Sequence, residues 1–129
     1  MRDILGIALS GLSANTTRLG VSANNVANIA TTGSADDPAS AYQPQRAVPV
    51  SAGEGGGVRV TIQNTDPATV PAFSPGDPNA NAEGMVALPN ISLEQEVVEQ
   101  MMAVTGYKAN ASVIKTLAAM DKALLDIKV

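Results

Sequence analysis

The chain has 129 residues, a net charge of −4, no His, no Cys and no Trp, and its aromatic content of 2% amounts to two Tyr and one Phe. Without His or Cys it lacks the usual acid/base at neutral pH, thiol nucleophiles, disulfides and most zinc, haem or iron–sulfur ligation, and its eight unclustered Lys and Arg lack the footprint of nucleic-acid binding. Composition therefore points away from an enzyme and toward one small domain, whose Ala-rich apolar content yields little burial at about 25 cal/mol per Å².

Residues 1–35 contain no proline and read as the N-terminal helix. The opening stretch Met1–Ser10 imitates a secretory signal, but Asp3, Gly6, Ser10 and Gly11 interrupt it, so no cleaved signal is expected. No apolar run approaches the roughly 20 residues a membrane helix needs. Leu5, Leu12, Leu19 and Val26 recur every seventh position. Ala8, Asn15, Ser22 and Ile29 interleave with them, which predicts an a/d seam over four heptads with small or polar residues at d. Gly6, Gly11 and Gly20 each cost about 1 kcal/mol relative to Ala in a helix. The helix is thus marginal alone, forms when docked, and permits close backbone approach. Asn24, Asn25, Asn28 and Thr31-Thr32-Gly33 supply stop signals.

The middle, residues 36–90, holds all eight prolines, Pro38 to Pro89, and so cannot form long helices. Tyr42–Val50 and the alternating Gly57–Ile62 predict two extended stretches joined by a turn at Gly53–Gly57. That glycine cluster is a turn rather than a phosphate cradle, since neither Lys-Ser/Thr nor a helix follows it. From Asp66 to Pro89 the chain reads as irregular, with one short apolar stretch at Met85–Leu88. Asp77, Asn79 and Asn81 imitate the start of a calcium loop. Its sixth position is Ala82 and its twelfth Leu88, so an Asx-rich turn is preferred.

Residues 91–129 predict the stronger helix. Ser92 and Gln95 make an S-x-x-Q capping box. Glu94, Glu96 and Glu99 lie early and Lys115, Lys122 and Lys128 late, matching the macrodipole; the glutamates read as solvated charges rather than as an acid/base pair. Leu93, Val97, Met101, Val104, Val113, Leu117, Met120, Leu124 and Ile127 form an apolar stripe, widened by Ile114, Ala118 and Leu125. A helix over 92–127 is roughly 54 Å long, more than a small monomer buries, so neighbours are implied. The expected fold is mainly α with a small β-rich insert: long terminal helices paired as an antiparallel coiled-coil-like core, and a Pro/Gly-rich middle with short strands.

Specific residues then become recognisable. Ser10-Gly11-Leu12-Ser13-Ala14, Arg18-Leu19, Asn24-Asn25-Val26-Ala27-Asn28 and Thr31-Thr32-Gly33 resemble the N-terminal signature of the bacterial flagellar rod and hook family. Val97-Val98-Glu99-Gln100-Met101, Tyr107-Lys108-Ala109-Asn110 and Val113-Ile114-Lys115-Thr116 resemble its C-terminal signature. Pro75-Gly76-Asp77, Gly84-Met85 and Pro89-Asn90-Ile91 frame a segment similar to the one preceding the last helix in basal-body rod proteins of the proximal rod. The chain departs from the pattern at Met85, where the family usually has Tyr, at Gly106, and at 42–50, which carries Pro44 and Pro49 and lacks the usual aromatic end.

The resemblance implies a structural subunit, not an enzyme, of the periplasm-spanning rod in the flagellar basal body. It implies export without a cleaved signal through the flagellar type III apparatus, and termini that become helical within the polymer. Its partners would be other rod proteins, copies of itself, and the basal-body ring and rod-adaptor proteins. It implies no cofactor, metal, nucleic acid or small-molecule substrate, and no membrane span. Assembly contacts are expected at Leu5, Leu12, Leu19 and Val26 on the first helix and at Val97, Met101, Val104, Ile114, Leu117 and Leu124 on the last. The alternatives are another flagellar axial or type III needle-like subunit, and a monomeric binding module with calcium at Asp77.

Overall fold

Where proline is missing the chain is helical, and where proline clusters it forms short strands. The computed structural model describes residues 2–53 and 55–127. Helix α1 (Arg2–Asn28) leads into β1 (Gly33–Ser34), a single 3-10 turn (Pro38–Ser40), β2 (Gln45–Ser51), β3 (Val58–Asn64), β4 (Thr69–Phe73), β5 (Met85–Pro89) and helix α2 (Leu93–Asp126). Among the described residues, no helix is long and apolar enough to cross a membrane.

The start of α2 is capped as its sequence requires. The Ser92 hydroxyl accepts from the backbone N–H of Gln95 at 3.4 Å. The same hydroxyl donates to Glu94 Oε2 at 3.0 Å. At the other end the pattern differs from expectation. The last turn of α2 carries no basic residue, so the macrodipole is complemented at the N-terminus only, and Lys128 lies outside the described residues.

Strands β2 and β3 form an antiparallel hairpin registered from Gln45↔Asn64 to Ser51↔Val58. Its turn needs glycine: Gly53, Gly55, Gly56 and Gly57 all have positive φ, where side chains are strongly disfavoured. The hairpin tip is seated on α1. Val58 N–H donates to Ser10 Oγ at 3.1 Å, and a Cβ on Gly57 would lie 2.6 Å from that oxygen.

The second sheet has the order β1-β5-β4, both pairs antiparallel. Strand β4 corrects the expectation of an irregular segment from Asp66 onward. Pro71 lies inside it, opposite Ala87, and is tolerated because β4 is an edge strand on which a missing N–H donor breaks no inner ladder. The buried hydrophobic side chains are small: Ala8, Ala14, Val21, Ala41, Ala47, Val86, Ala87 and Ala103. Such a core is tightly approached but poor in apolar area.

Candidate assembly surface

The two helices run in opposite directions and meet over a seam of small and polar residues. Facing positions descend from Gly11 with Asn110, to Asn15 with Gly106, to Ser22 and Asn25 with Glu96. A G-x-x-x-N motif on each helix builds the centre. Asn15 Nδ2 donates to the carbonyl of Gly11 and Asn110 Nδ2 to that of Gly106, each at 2.8 Å. Each Asn side chain then fills the space left by the glycine of the opposite helix. A Cβ on Gly11 would lie 2.5 Å from Asn110 Oδ1, and one on Gly106 2.8 Å from Asn15 Oδ1. Gly6 and Gly20 meet nothing within 4 Å, so close approach explains Gly11 alone among the three α1 glycines.

Toward the C-terminal end of α1 the seam becomes a polar clamp. Arg18 Nε donates to Glu99 Oε1 at 2.6 Å and Nη2 to Oε2 at 3.0 Å. That bond holds the guanidinium pKa above its usual value, against the opposing effect of burial. Asn25, 2% exposed, uses both ends of its amide. Nδ2 donates to Glu96 Oε1 and to the carbonyl of Gln45, both at 2.7 Å. Oδ1 accepts from Gln45 N–H and from the hydroxyl of Tyr42. Burial, and then the charge of Glu96, raise the Tyr42 pKa. One side chain thus ties α1, α2 and the start of the hairpin together. Glu96 and Glu99 are therefore not simple solvated charges, as expected from their place in the first turns. They are inter-helix partners, and only Glu94 keeps the exposed, cap-side role.

The a/d reading of α1 is correct for one row and inverted for the other. The positions of α1 that turn inward are Ala8, Gly11, Ala14, Asn15, Arg18, Val21, Ser22 and Asn25, so Ala8, Asn15 and Ser22 from the predicted d row are buried, while its fourth member, Ile29, lies past the end of α1. The predicted a row is not buried: Leu5 and Leu19 are exposed, and Leu12 and Val26 half-buried. On α2, Val97, Met101, Val104 and Leu124 are exposed, while Ile114 and Leu117 are half-buried. Close backbone contact is incompatible with bulky Leu on the seam, which is why the large side chains point elsewhere.

The family-motif residues serve separate local ends. Asn24 is exposed, and its carbonyl accepts from Asn28 Nδ2. Gly84 has a φ of 75° and packs under Pro75 and Phe73, and Gly76 is open. Pro89 is buried at the end of β5. Asn90 Nδ2 donates to the carbonyl of Pro67. Tyr107 is exposed. Asp77 Oδ1 accepts from Asn79 N–H at 2.8 Å and from the Thr32 hydroxyl at 3.1 Å, which is an Asx turn. Among the described residues no group of three or more acidic side chains is placed to hold a metal. A groove of about 290 Å³ lies between Val21, Pro44, Ala47, Pro49 and Ile91, with the Arg18–Glu99 pair on its wall. What the surface offers chemically is contact: exposed Val, Leu and Met on rigid helices.

Residues 82–127 match the family described as flagellar basal body rod FlgEFG protein C-terminal. Over most of its length the chain is similar to proteins named flagellar basal-body rod protein FlgC. It is 40% identical to that of Yersinia enterocolitica, across 92% of this chain and 90% of the relative. The figures for Salmonella typhimurium are 37%, 92% and 90%. For Borreliella burgdorferi they are 28%, 95% and 94%.

Proposed function

The chain belongs to the FlgC family of flagellar basal-body rod proteins, and from that premise we propose how its surface serves a structural subunit of the rod. The observation that carries the reading is the division of labour on the helices. Small and polar side chains hold α1 to α2, which leaves Leu5, Leu19, Val97, Met101, Val104 and Leu124 outward. Large apolar side chains kept off the intramolecular seam are available to neighbours, and exposed apolar surface of this extent marks an interaction site.

In the proximal rod the helix pair acts as a coiled-coil-like unit of an inner tube. Copies of this chain and other rod proteins pack against its outer faces, with ring and rod-adaptor proteins at the ends of the stack. The β region projects from the tube. The subunit reaches its site through the flagellar type III export apparatus as an extended chain, and the small apolar area of its seam makes the pair easy to undo for that passage. Its work is mechanical: it transmits torque along the shaft and performs no chemical step.

Met101 and Leu124 are 65% and 54% exposed, so Met101→Asp combined with Leu124→Asp leaves the isolated fold intact. Introduced into the source bacterium, the pair should abolish swimming in soft agar and remove the chain from purified basal bodies. Normal motility and normal incorporation of the doubly substituted chain would sink the assignment.

A further inference from the structure

The chain has no Cys, Trp or His, so its most readily oxidised group is the methionine thioether. Of the five methionines, Met85, Met101, Met102 and Met120 lie among the described residues. The last three are on the outer surface of α2. Met101 is 65% exposed, and Met102 and Met120 are each 51% exposed. Met85, at the start of β5, is half-buried and lies opposite Phe73.

Helical geometry sets two of these sulfurs in line. Met102 and Met120 are eighteen positions apart, which is five turns at about 3.6 residues per turn, so they share one row about 27 Å long. Val98, Val113 and Leu124 lie within about 40° of that row, and all three are exposed. Met101 falls on the neighbouring row with Val97 and Val104, which are also exposed. The inner seam contains no sulfur. On the α2 side it is built from Glu96, Glu99, Ala103, Gly106 and Asn110. The three thioethers are therefore open to solvent in the free subunit and take no part in the contact that holds its helices together.

We propose that Met101, Met102 and Met120 form a modification site, at which a peroxide converts the thioethers of the free subunit to sulfoxides and so withholds it from assembly. The inference rests on the rod reading and deepens it by placing a control on the same surface. A sulfur lone pair attacks one oxygen of hydrogen peroxide and forms the S–O bond as the O–O bond breaks. The proton on the transferred oxygen passes to the departing hydroxide, which leaves as water. Sulfur is oxidised by two electrons and the peroxide is reduced by two. The product is a polar oxygen in the middle of an apolar row. Water satisfies that oxygen in the free chain, whereas a neighbouring subunit that covers it with apolar side chains leaves it unpaired, which is unfavourable. Oxidation thus acts on the contact and leaves the fold alone. A subunit already in the rod has these sulfurs covered and is protected.

The test begins with the purified full chain in hydrogen peroxide, with sulfoxides located by mass spectrometry. Met101, Met102 and Met120 should be oxidised ahead of Met85, with the helical circular dichroism unchanged. In purified basal bodies the same three should react more slowly than in the free chain. In cells, wild type and Met101→Leu/Met102→Leu/Met120→Leu are produced together, and their ratio in basal bodies is read from peptides of different mass. Leucine is apolar and has no sulfur to oxidise. Peroxide added during rod assembly should shift that ratio toward the leucine variant by about tenfold or more relative to untreated cells, as expected when buried polar groups are left unpaired. Met101→Gln/Met102→Gln/Met120→Gln places an amide where the sulfoxide would be, and should be missing from basal bodies without any peroxide. The proposal is overturned by a ratio that peroxide leaves unchanged, by oxidation of Met85 ahead of the α2 residues, by loss of helical signal on oxidation, by equal reactivity in basal bodies and free chain, or by normal incorporation of the glutamine variant. If untreated cells place neither wild type nor the leucine variant in basal bodies, it is the rod reading that fails.

Discussion

Glycine shows how the same residue type answers to different neighbours. Gly106 and Gly20 both lie inside helices, where Ala is favoured by about 1 kcal/mol. A methyl group on Gly20 enters open space, whereas one on Gly106 would press on the Asn15 amide at 2.8 Å. Asn15 cannot yield without losing its bond to the Gly11 carbonyl and its contact with Arg18 Nη1. Gly20→Ala should therefore raise stability by up to about 1 kcal/mol, and Gly106→Ala should lower it by about 1–3 kcal/mol. Urea titration of the helical circular dichroism of the two variants gives the sign in each case, and a stabilising Gly106→Ala would refute the interlocking of the two G-x-x-x-N motifs. The close approach at Gly11 was legible from the small residues along α1. The roles of Arg18, Glu96 and Glu99 were not, because pairing residues 81 positions apart requires the inter-helix register, which neither helix specifies alone. The recoverable signal was the three- and four-residue spacing of Ala8, Gly11, Asn15, Arg18, Ser22 and Asn25, hidden because small and polar side chains do not register as an apolar stripe.

At the scale of elements, the helices and the β2–β3 hairpin were legible and strand β4 was not. The capping serine, the proline-free runs and the seven-residue spacing are local signals, and α1 and α2 appear where those signals fall. Strand β4 has no such signal, since Pro67 and Pro71 argue against a strand until its edge position beside β5 is known. The N-terminus of α2 gives a quantitative test of the local signals. Glu94 is held below the usual carboxylate range, first by its own backbone N–H and then by the Ser92 hydroxyl. A carboxyl with a lowered folded pKa contributes stability that is present above its unfolded pKa and is lost as pH falls through the folded one. Ser92→Ala removes the N-cap acceptor and one of these two donors. The variant should lose about 1 kcal/mol near neutral pH and show a shallower loss of stability on acidification than wild type. An unchanged acid limb would mean that the Ser92–Glu94 contact has no weight in solution.

For the whole molecule, the decisive fact is that α2 outlasts its partner. Facing positions descend in step from Gly11 with Asn110 to Asn15 with Gly106, so the first turn of α1 lies opposite residues near 119. Residues 120–126 of α2 therefore extend roughly 10 Å past α1. Met120, Leu124 and Leu125 are exposed there, Leu125 by 71%, although their chemistry is that of a core. A fold stabilised only within one chain gains nothing from this extension, and the extension adds an aggregation liability that a solitary domain would shed. Deleting residues 120–129 should accordingly leave the urea midpoint within about 0.5 kcal/mol of wild type, as expected for surface changes that remove no buried contact. The same deletion should abolish incorporation into basal bodies, as the proposed assembly role of the exposed Met120, Leu124 and Leu125 requires. A truncated chain that assembled normally would show the overhang to be dispensable. One that lost its fold would show that the far end of α2 stabilises the helix pair by contacts other than those with α1, and the division between a polar inner seam and an apolar outer surface would then have to be redrawn.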